Sequence, residues 1–217
     1  MGITVLLVED HQIVREGLRA LLDKQEDIEV VAEAEDGRAA VRLARELCPD
    51  VVVLDIVMPG LNGIETARQL IDESRRVKVL ALSAHCDKRF VVEILRAGAS
   101  GYLVKDCARE ELVSAIRAVM ANQAYLSPRV AGSVIEECVH RPSTVDISAS
   151  SVLTAREREV VQLLAEGKST KEAALCLHVS VKTVEVHRHR IMSKLGIRTM
   201  AELTKYALRE GLTSLEY

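Results

Sequence analysis

Hydrophobic positions along roughly the first 120 residues change period repeatedly. Ile3–Val8 is a continuous apolar run that ends in two acids, the pattern of a strand buried on both faces. Val14, Leu18, Leu21 and Leu22 then fall at i, i+4, i+7 and i+8, a helical stripe. Glu29–Ala34 reads as strand, Gly37–Leu47 as a helix ended by Pro49, and Val51–Leu54 as a strand running into Asp55. Glu65–Ser74 predicts helix, Val77–Leu82 strand, Lys88–Ala97 helix, Gly101–Val104 strand and Glu110–Ala121 helix. Five strands alternating with five helices imply a parallel sheet covered by helices on both faces.

Periodicity weakens after residue 121. Leu126–Val139 can continue as helix, whereas His140–Ser151 (HRPSTVDISASS) has the composition of a linker. A purely helical pattern begins at Leu153, marked by S/T-x-x-E capping boxes at Thr154–Glu157, Ser169–Glu172 and Thr199–Glu202. Ser180 is a further N-cap. The expected organisation is an α/β domain over 1–121, an extension and flexible linker over 122–151, and a small all-α four-helix domain over 152–217.

Composition narrows the class. The chain has 217 residues, 48% hydrophobic and 28% charged, which is a soluble globular profile. Only five residues are aromatic, which argues against stacking platforms for single-stranded nucleic acid and against aromatic ligand cages. No apolar stretch approaches the roughly 20 residues of a membrane span, and no basic n-region or cleavage signal opens the chain, so a cytoplasmic location without membrane contact is expected. The five cysteines (48, 86, 107, 138, 176) show no CxxC or Cys/His ligand spacing and are read as reduced, small hydrophobes. Charge is divided unevenly: residues 1–151 carry 18 basic and 24 acidic side chains, residues 152–217 carry 11 and 8. An acidic front with a basic tail domain is a first sign of nucleic acid at the C-terminus.

In an open parallel sheet the functional crevice lies beyond the carboxyl ends of the strands. Polar residues cluster there: Glu9 and Asp10 after the first strand, Asp55 after the third, Ser83 after the fourth and Lys105 after the fifth. Three carboxylates make a hard, oxygen-rich pocket suited to Mg²⁺. Lys105 offers a point charge and Ser83 a hydrogen bond to a phosphoryl group. A carboxylate can also accept a phosphoryl group as a nucleophile.

Residues 5–10 (VLLVED), 51–63 (VVVLDIVMPGLNG), 79–84 (VLALSA) and 97–106 (AGASGYLVKD) closely resemble the receiver domain of two-component response regulators, a flavodoxin-like five-stranded fold. The resemblance implies Asp55 as phospho-acceptor and Asp10 as a direct Mg²⁺ ligand, with Glu9 helping through water. The backbone carbonyl of Val57 is a further implied ligand. It further implies that Lys105 pairs with the phosphoryl group and that Ser83 and Tyr102 form the switch pair. Pro59 and Gly60 shape the loop after the acceptor, and Gly63 relieves crowding before the next helix. Val57 and His85 fall at positions that in this family influence phosphoryl lifetime; an apolar Val57 cannot orient an attacking water by hydrogen bonding, whereas His85 can, and a lifetime of minutes or longer is expected. Cys86 and Cys107 lie near the switch face, without sequence support for redox sensing.

Residues 154–197 contain a helix from about Thr170 to Leu177, the turn His178-Val179-Ser180, and a second helix to Leu195, which are helix-turn-helix proportions. Val184, Ile191 and Leu195 share one face of the second helix, with His187 at its edge. Lys182, Val186, His189 and Ser193 share the other, flanked by Glu185 and Arg190. The LTAREREV opening, AEGKSTKEAA and KTVEVHRHRIMSKL strongly resemble the LuxR-type helix-turn-helix. Joined to a receiver, this is the NarL/FixJ type of response regulator. The resemblance implies Glu185, Val186 and His189 as base-edge readers and Lys182, Thr183, Arg188, Arg190 and Lys194 as phosphate contacts, with His187 structural. The last helix, Met200–Glu210, resembles the element through which such domains pair on DNA.

These resemblances imply a transcription factor phosphorylated on Asp55 by a histidine kinase with Mg²⁺. Phosphorylation would draw Ser83 and Tyr102 inward and switch dimerisation and binding to promoter DNA. RNA polymerase is a further possible partner. A phosphohydrolase using Asp55 as nucleophile is disfavoured, because Val57 removes the second Asp of a D-x-D arrangement. Slow loss of its own phosphoryl group is compatible with a protein that is not a turnover enzyme. The other rival is a DNA-binding protein whose receiver no longer needs phosphate.

Overall fold

The computed structural model describes residues 2–74, 76–84, 88–132, 134 and 152–213, in two compact units. The first unit orders β1 (Ile3–Val8), α1 (Gln12–Leu22), β2 (Ile28–Ala34), α2 (Gly37–Leu47), β3 (Val51–Asp55) and α3 (Gly63–Glu73). It continues with β4 (Lys78–Ser83), α4 (Lys88–Arg96), β5 (Gly101–Val104), a 3-10 turn at Lys105–Cys107, α5 (Ala108–Met120) and β6 (Tyr125–Leu126). All strand pairs are parallel, in the order β2-β1-β3-β4-β5-β6.

Alternation along the strands builds two cores. Leu6, Val8, Val52, Leu54, Val79 and Ala81 face α2, α3 and α4 through Val41, Leu70, Val91 and Ile94. Val5, Leu7, Val51, Val53, Leu80 and Leu82 face α1 and α5 through Leu18, Leu22, Leu112 and Ile116. Burial on both faces explains why these strands read as unbroken apolar runs. The strand order reverses between β1 and β3, so the crevice beyond their carboxyl ends is the topological switch point.

The sheet has six strands where the sequence pattern predicts five. Tyr125–Leu126 pairs with Gly101 and Tyr102 of β5, at the start of the segment expected to continue as helix; residues 128–132 are helical. Two residues carry no readable period, and their pairing depends on the free edge of β5. Beside them Ser127 N donates to the Tyr102 carbonyl (2.9 Å), and its hydroxyl accepts from Val104 N (3.2 Å) and donates to Glu111 Oε2 (2.6 Å). The linker expected over His140–Ser151 lies outside the described residues.

The second unit contains α6 (Ala155–Ala165), α7 (Thr170–Cys176), α8 (Val181–Leu195) and α9 (Met200–Arg209). All three expected capping boxes form with both hydrogen bonds, at Thr154, Ser169 and Thr199, and the Ser180 side chain caps α8 through Thr183 N. Val160, Val161, Leu164, Ala173, Val184, Ile191, Leu203 and Ala207 fill the core between the four helices. The turn before α8 is a Schellman motif: Val179 N donates to Ala174 O, His178 N donates to Leu175 O, and His178 is left-handed with φ 53°. Among the described residues no helix is long and apolar enough to cross a membrane.

Candidate functional site

Three strand ends deliver one charge cluster. Glu9 follows β1, Asp55 closes β3, and Lys105 opens the turn after β5. Lys105 Nζ donates to Asp55 Oδ2 (2.7 Å) and to Glu9 Oε1 (3.0 Å), and lies 2.8 Å from Glu9 Oε2. Glu9 is fully buried and Asp55 is 2% exposed, while Asp10 is partly exposed beside them. Val57 N donates to Asp55 Oδ1 (3.2 Å), which holds that carboxylate against its own loop.

Burial dominates the electrostatics. It pushes the Asp55 carboxyl up to about 7; Lys105 opposes this and the neighbouring Glu9 charge adds to it. Burial also works against the Lys105 ammonium, but Asp55 and Glu9 together hold its pKa above the ordinary lysine value. Once Asp55 is ionised, two buried carboxylates face one ammonium, an excess of negative charge that a divalent cation would neutralise.

The donor set fits such an ion. One ligating atom from each of Glu9, Asp10, His11 and Asp55 lies within 4.8 Å of the others, and the carboxylate oxygens match the hard-oxygen preference of Mg²⁺. His11 was not among the residues the sequence singled out. Its Nδ1 lies 3.0 Å from Asp10 Oδ1 and 3.2 Å from Glu9 Oε1, although its side chain is 64% exposed. Its place directly after the two acids was the available signal.

Ser83 is buried at the end of β4, paired with Val104, which brings it to the same sheet edge. Tyr102 is fully buried against the α4 side of the sheet, so it already points inward here. His85 and Cys86 lie outside the described residues. A Cβ on Gly63 would come within 2.1 Å of the Asp55 carbonyl oxygen, so the first turn of α3 rests on the backbone of Asp55. That is the crowding expected of Gly63.

The outward face of α8 is a different kind of site. Val184 and Ile191 are buried, while Lys182, Glu185, Val186, His189, Arg190 and Ser193 are exposed. Thr183 and Arg188 are half-buried at the margins. Lys194 is committed elsewhere: its Nζ donates to Glu157 Oε2 (2.6 Å), the carboxylate that also closes the α6 capping box. Burial pushes the Glu157 carboxyl up, but the Lys194 ammonium and the Thr154 N–H and hydroxyl pull it below the usual range overall. His187 is half-buried, with Nδ1 enclosed and lacking a hydrogen-bond partner among the described residues.

Comparison with known proteins identifies the family of each unit. Residues 5–117 match the response regulator receiver domain family, and residues 151–207 match the luxR family of bacterial regulatory proteins. The chain is 41% identical over 212 residues to the transcriptional regulatory protein LiaR of Bacillus subtilis, covering 98% of this chain and 100% of that protein. It is 37% identical over 214 residues to the response regulator UvrY of Escherichia coli, covering 99% and 97%. Among solved structures, the response regulator ChrA of a heme-sensing two-component system superposes with a TM-score of 0.52 at 36% identity, covering 97% and 98%. A structure of two RcsB dimers bound to two parallel DNAs superposes at 0.60 with 25% identity, covering 97% and 99%. The chain belongs to the two-component response regulators of the NarL/FixJ type, DNA-binding transcription regulators that join a receiver domain to a LuxR-type helix-turn-helix.

Proposed function

We propose that Asp55 is the phospho-acceptor of a receiver spanning 1–121, joined through 122–151 to a DNA-binding domain at 152–217. The observation that carries this reading is the convergence of Glu9, Asp55 and Lys105 from three strand ends within hydrogen-bonding distance, with Asp10 at their rim. Glu9, Asp10, Asp55 and the Val57 carbonyl would hold Mg²⁺. When bound, the ion neutralises phosphoryl oxygens as a Lewis acid. A carboxylate oxygen of Asp55 attacks the phosphorus of a kinase phosphohistidine, the P–N bond breaks, and the imidazole leaves with its electron pair. Lys105 and Ser83 then bind the phosphoryl oxygens on Asp55.

In this reading Ser83 moves toward the phosphoryl group and the inward position of Tyr102 is held, which changes the α4–β5 face of the receiver. Moving a mostly inactive ensemble to a mostly active one takes about 5.5 kcal/mol, a load shared with dimerisation and DNA binding. Glu185, Val186 and His189 read base edges, and Lys182, Thr183, Arg188 and Arg190 contact phosphates. Lys194 joins them only by leaving or sharing Glu157. The protein acts in the cytoplasm as a homodimer on promoter DNA, with RNA polymerase as a downstream partner, and not as a turnover enzyme. Because Val57 is apolar, the phosphoryl group lasts minutes or longer; a half-life of seconds for the isolated protein overturns that point.

The test is binding to genomic DNA fragments with and without a small phosphoryl donor and Mg²⁺, for wild type and Asp55→Asn. Donor-dependent tightening of several-fold in the wild type alone supports the reading. Equal binding in all four arms, with phosphate detected on Asp55 by mass spectrometry, favours an output other than DNA affinity.

A further inference from the structure

We infer that Arg15 is the positioning residue of the divalent-cation site, acting through the main chain of Glu9. This rests on the proposed Mg²⁺ site and deepens it. Glu9 and Asp10 sit in the three-residue connection between β1 and α1, where the direction of both carboxylates depends on the backbone at residue 9. That backbone is held at both ends. Glu9 N donates to Ala34 O of β2 (3.0 Å), and Glu9 O accepts from Arg15 Nη1 (2.5 Å), one turn into α1.

The guanidinium is itself aimed from a second side. Arg15 Nε donates to Glu33 Oε2 on β2 (3.2 Å), and Glu33 Oε1 accepts from Arg19 Nη1 (2.6 Å). The Arg15 side chain is only 15% exposed and Glu33 28%, so the pair is largely shielded from solvent competition. A planar fork can grip a carbonyl and a carboxylate together; a lysine ammonium keeps the charge but loses that shape. Among the described residues the hydrogen bonds of the Arg15 side chain go to the Glu9 carbonyl and Glu33, and none goes to a proposed ligand carboxylate. Partners that orient ligands in this way change metal affinity by about tenfold or more when removed.

Charge alone predicts the opposite sign. Arg15 is a cation beside an acidic pocket, so an effect through its field would repel Mg²⁺, and removing it would tighten binding. Positioning predicts weaker binding on removal.

The experiment is calorimetric titration of the full chain with Mg²⁺ for wild type, Arg15→Gln, Arg15→Lys and Glu33→Gln. Phosphorylation of each by a small phosphoryl donor is followed over a range of Mg²⁺. Both Arg15 variants should raise the Mg²⁺ dissociation constant about tenfold, and Glu33→Gln by a smaller factor in the same direction. The Mg²⁺ concentration for half-maximal phosphorylation should rise in step, with the rate at saturating Mg²⁺ within about twofold of wild type. A merely structural role would lower the melting temperature without moving Mg²⁺ affinity, and that result overturns the inference. Tighter binding by Arg15→Gln overturns it too, in favour of a field effect. Glu33→Gln and Arg15→Lys keep the test decisive if Arg15→Gln does not fold. If wild type takes up neither Mg²⁺ nor phosphate, the proposed site fails; if wild type does both and the variants match it, only the inference fails.

Discussion

The acid cluster of the first unit and the outward face of α8 both concentrate charge, yet they hold it under different constraints. Glu9 and Asp55 are buried, share one ammonium, and are fixed by main-chain groups. Lys182, Glu185, His189 and Arg190 stand in solvent, on a helix whose position is set by the opposite, apolar face. The first arrangement carries its own electrostatic tension, seen in the raised Asp55 pKa. The second acquires meaning only against a DNA groove. A buried site can therefore be recognised from the protein alone, whereas an exposed one needs its partner to rank its residues.

The comparison breaks most sharply at Asp55. Asp55→Asn should abolish phosphoryl acceptance, read by mass spectrometry, and also remove a pH dependence. With a pKa raised to about 7, the native carboxyl keeps its proton up to that pH while the unfolded chain releases it near the ordinary aspartate value of 3.8. The native state binds more protons in that window, so stability falls as pH rises through it. In chelator, the melting temperature of the wild-type receiver should drop between pH 5 and 7.5, and the Asn variant should flatten that slope. An unchanged slope would place the tension elsewhere.

Gly63→Ala tests whether the acid site depends on its scaffold. The added Cβ meets backbone 2.1 Å away, so α3 or the Asp55 segment must shift, at a cost of about 1–3 kcal/mol. Urea unfolding should show the loss, together with slower phosphorylation. Wild-type stability would mean that the helix moves freely.

On α8 the expected effects are smaller and divide by type. His189→Ala should cost about 1–3 kcal/mol on a cognate site and relax specificity there. Arg190→Ala should weaken all sequences alike and reduce the salt slope of binding by about 1. Identical salt slopes for the two variants would remove the division between reading and positioning.

Two structural predictions sharpen the second unit further. Glu157, held low by Lys194 and the Thr154 cap, contributes stability that is present above the ordinary glutamate range and lost as pH falls through its depressed value. Glu157→Gln should shrink the acid-side loss in a pH-dependent melt. The smallest effect is expected at His178, whose left-handed φ of 53° costs a side-chain residue more than glycine. His178→Gly should stabilise by about 0.5–1 kcal/mol in the same melt.

Most of the chain was legible because its signals are local. The apolar runs of β1 and β3, the stripe of α1 and the three capping boxes each depend on neighbours within a few residues, and each forms where expected. The charged residues of the site were legible because parallel strands send their carboxyl ends, and with them Glu9, Asp55 and Lys105, to one edge. β6 was not, since Tyr125–Leu126 is a strand only by virtue of the β5 edge and the Ser127–Glu111 contact. Nor was the tie between Lys194 and Glu157, 37 positions apart, which removes one expected phosphate contact from free display.

The sequence by itself determined the two units, the order of every element except β6, and the charged residue types placed at the strand ends and on α8, because periodicity, caps and strand-end acids are encoded within short windows. Tertiary structure decided which of those groups are charged at a cost and which backbone atoms hold them. Lys105 meets Glu9 and Asp55 across separations of 96 and 50 residues, and the Arg15 fork joins α1 to β2 and the Glu9 carbonyl. Burial and long-range pairing are properties of the packed sheet, and no local window of the chain contains them.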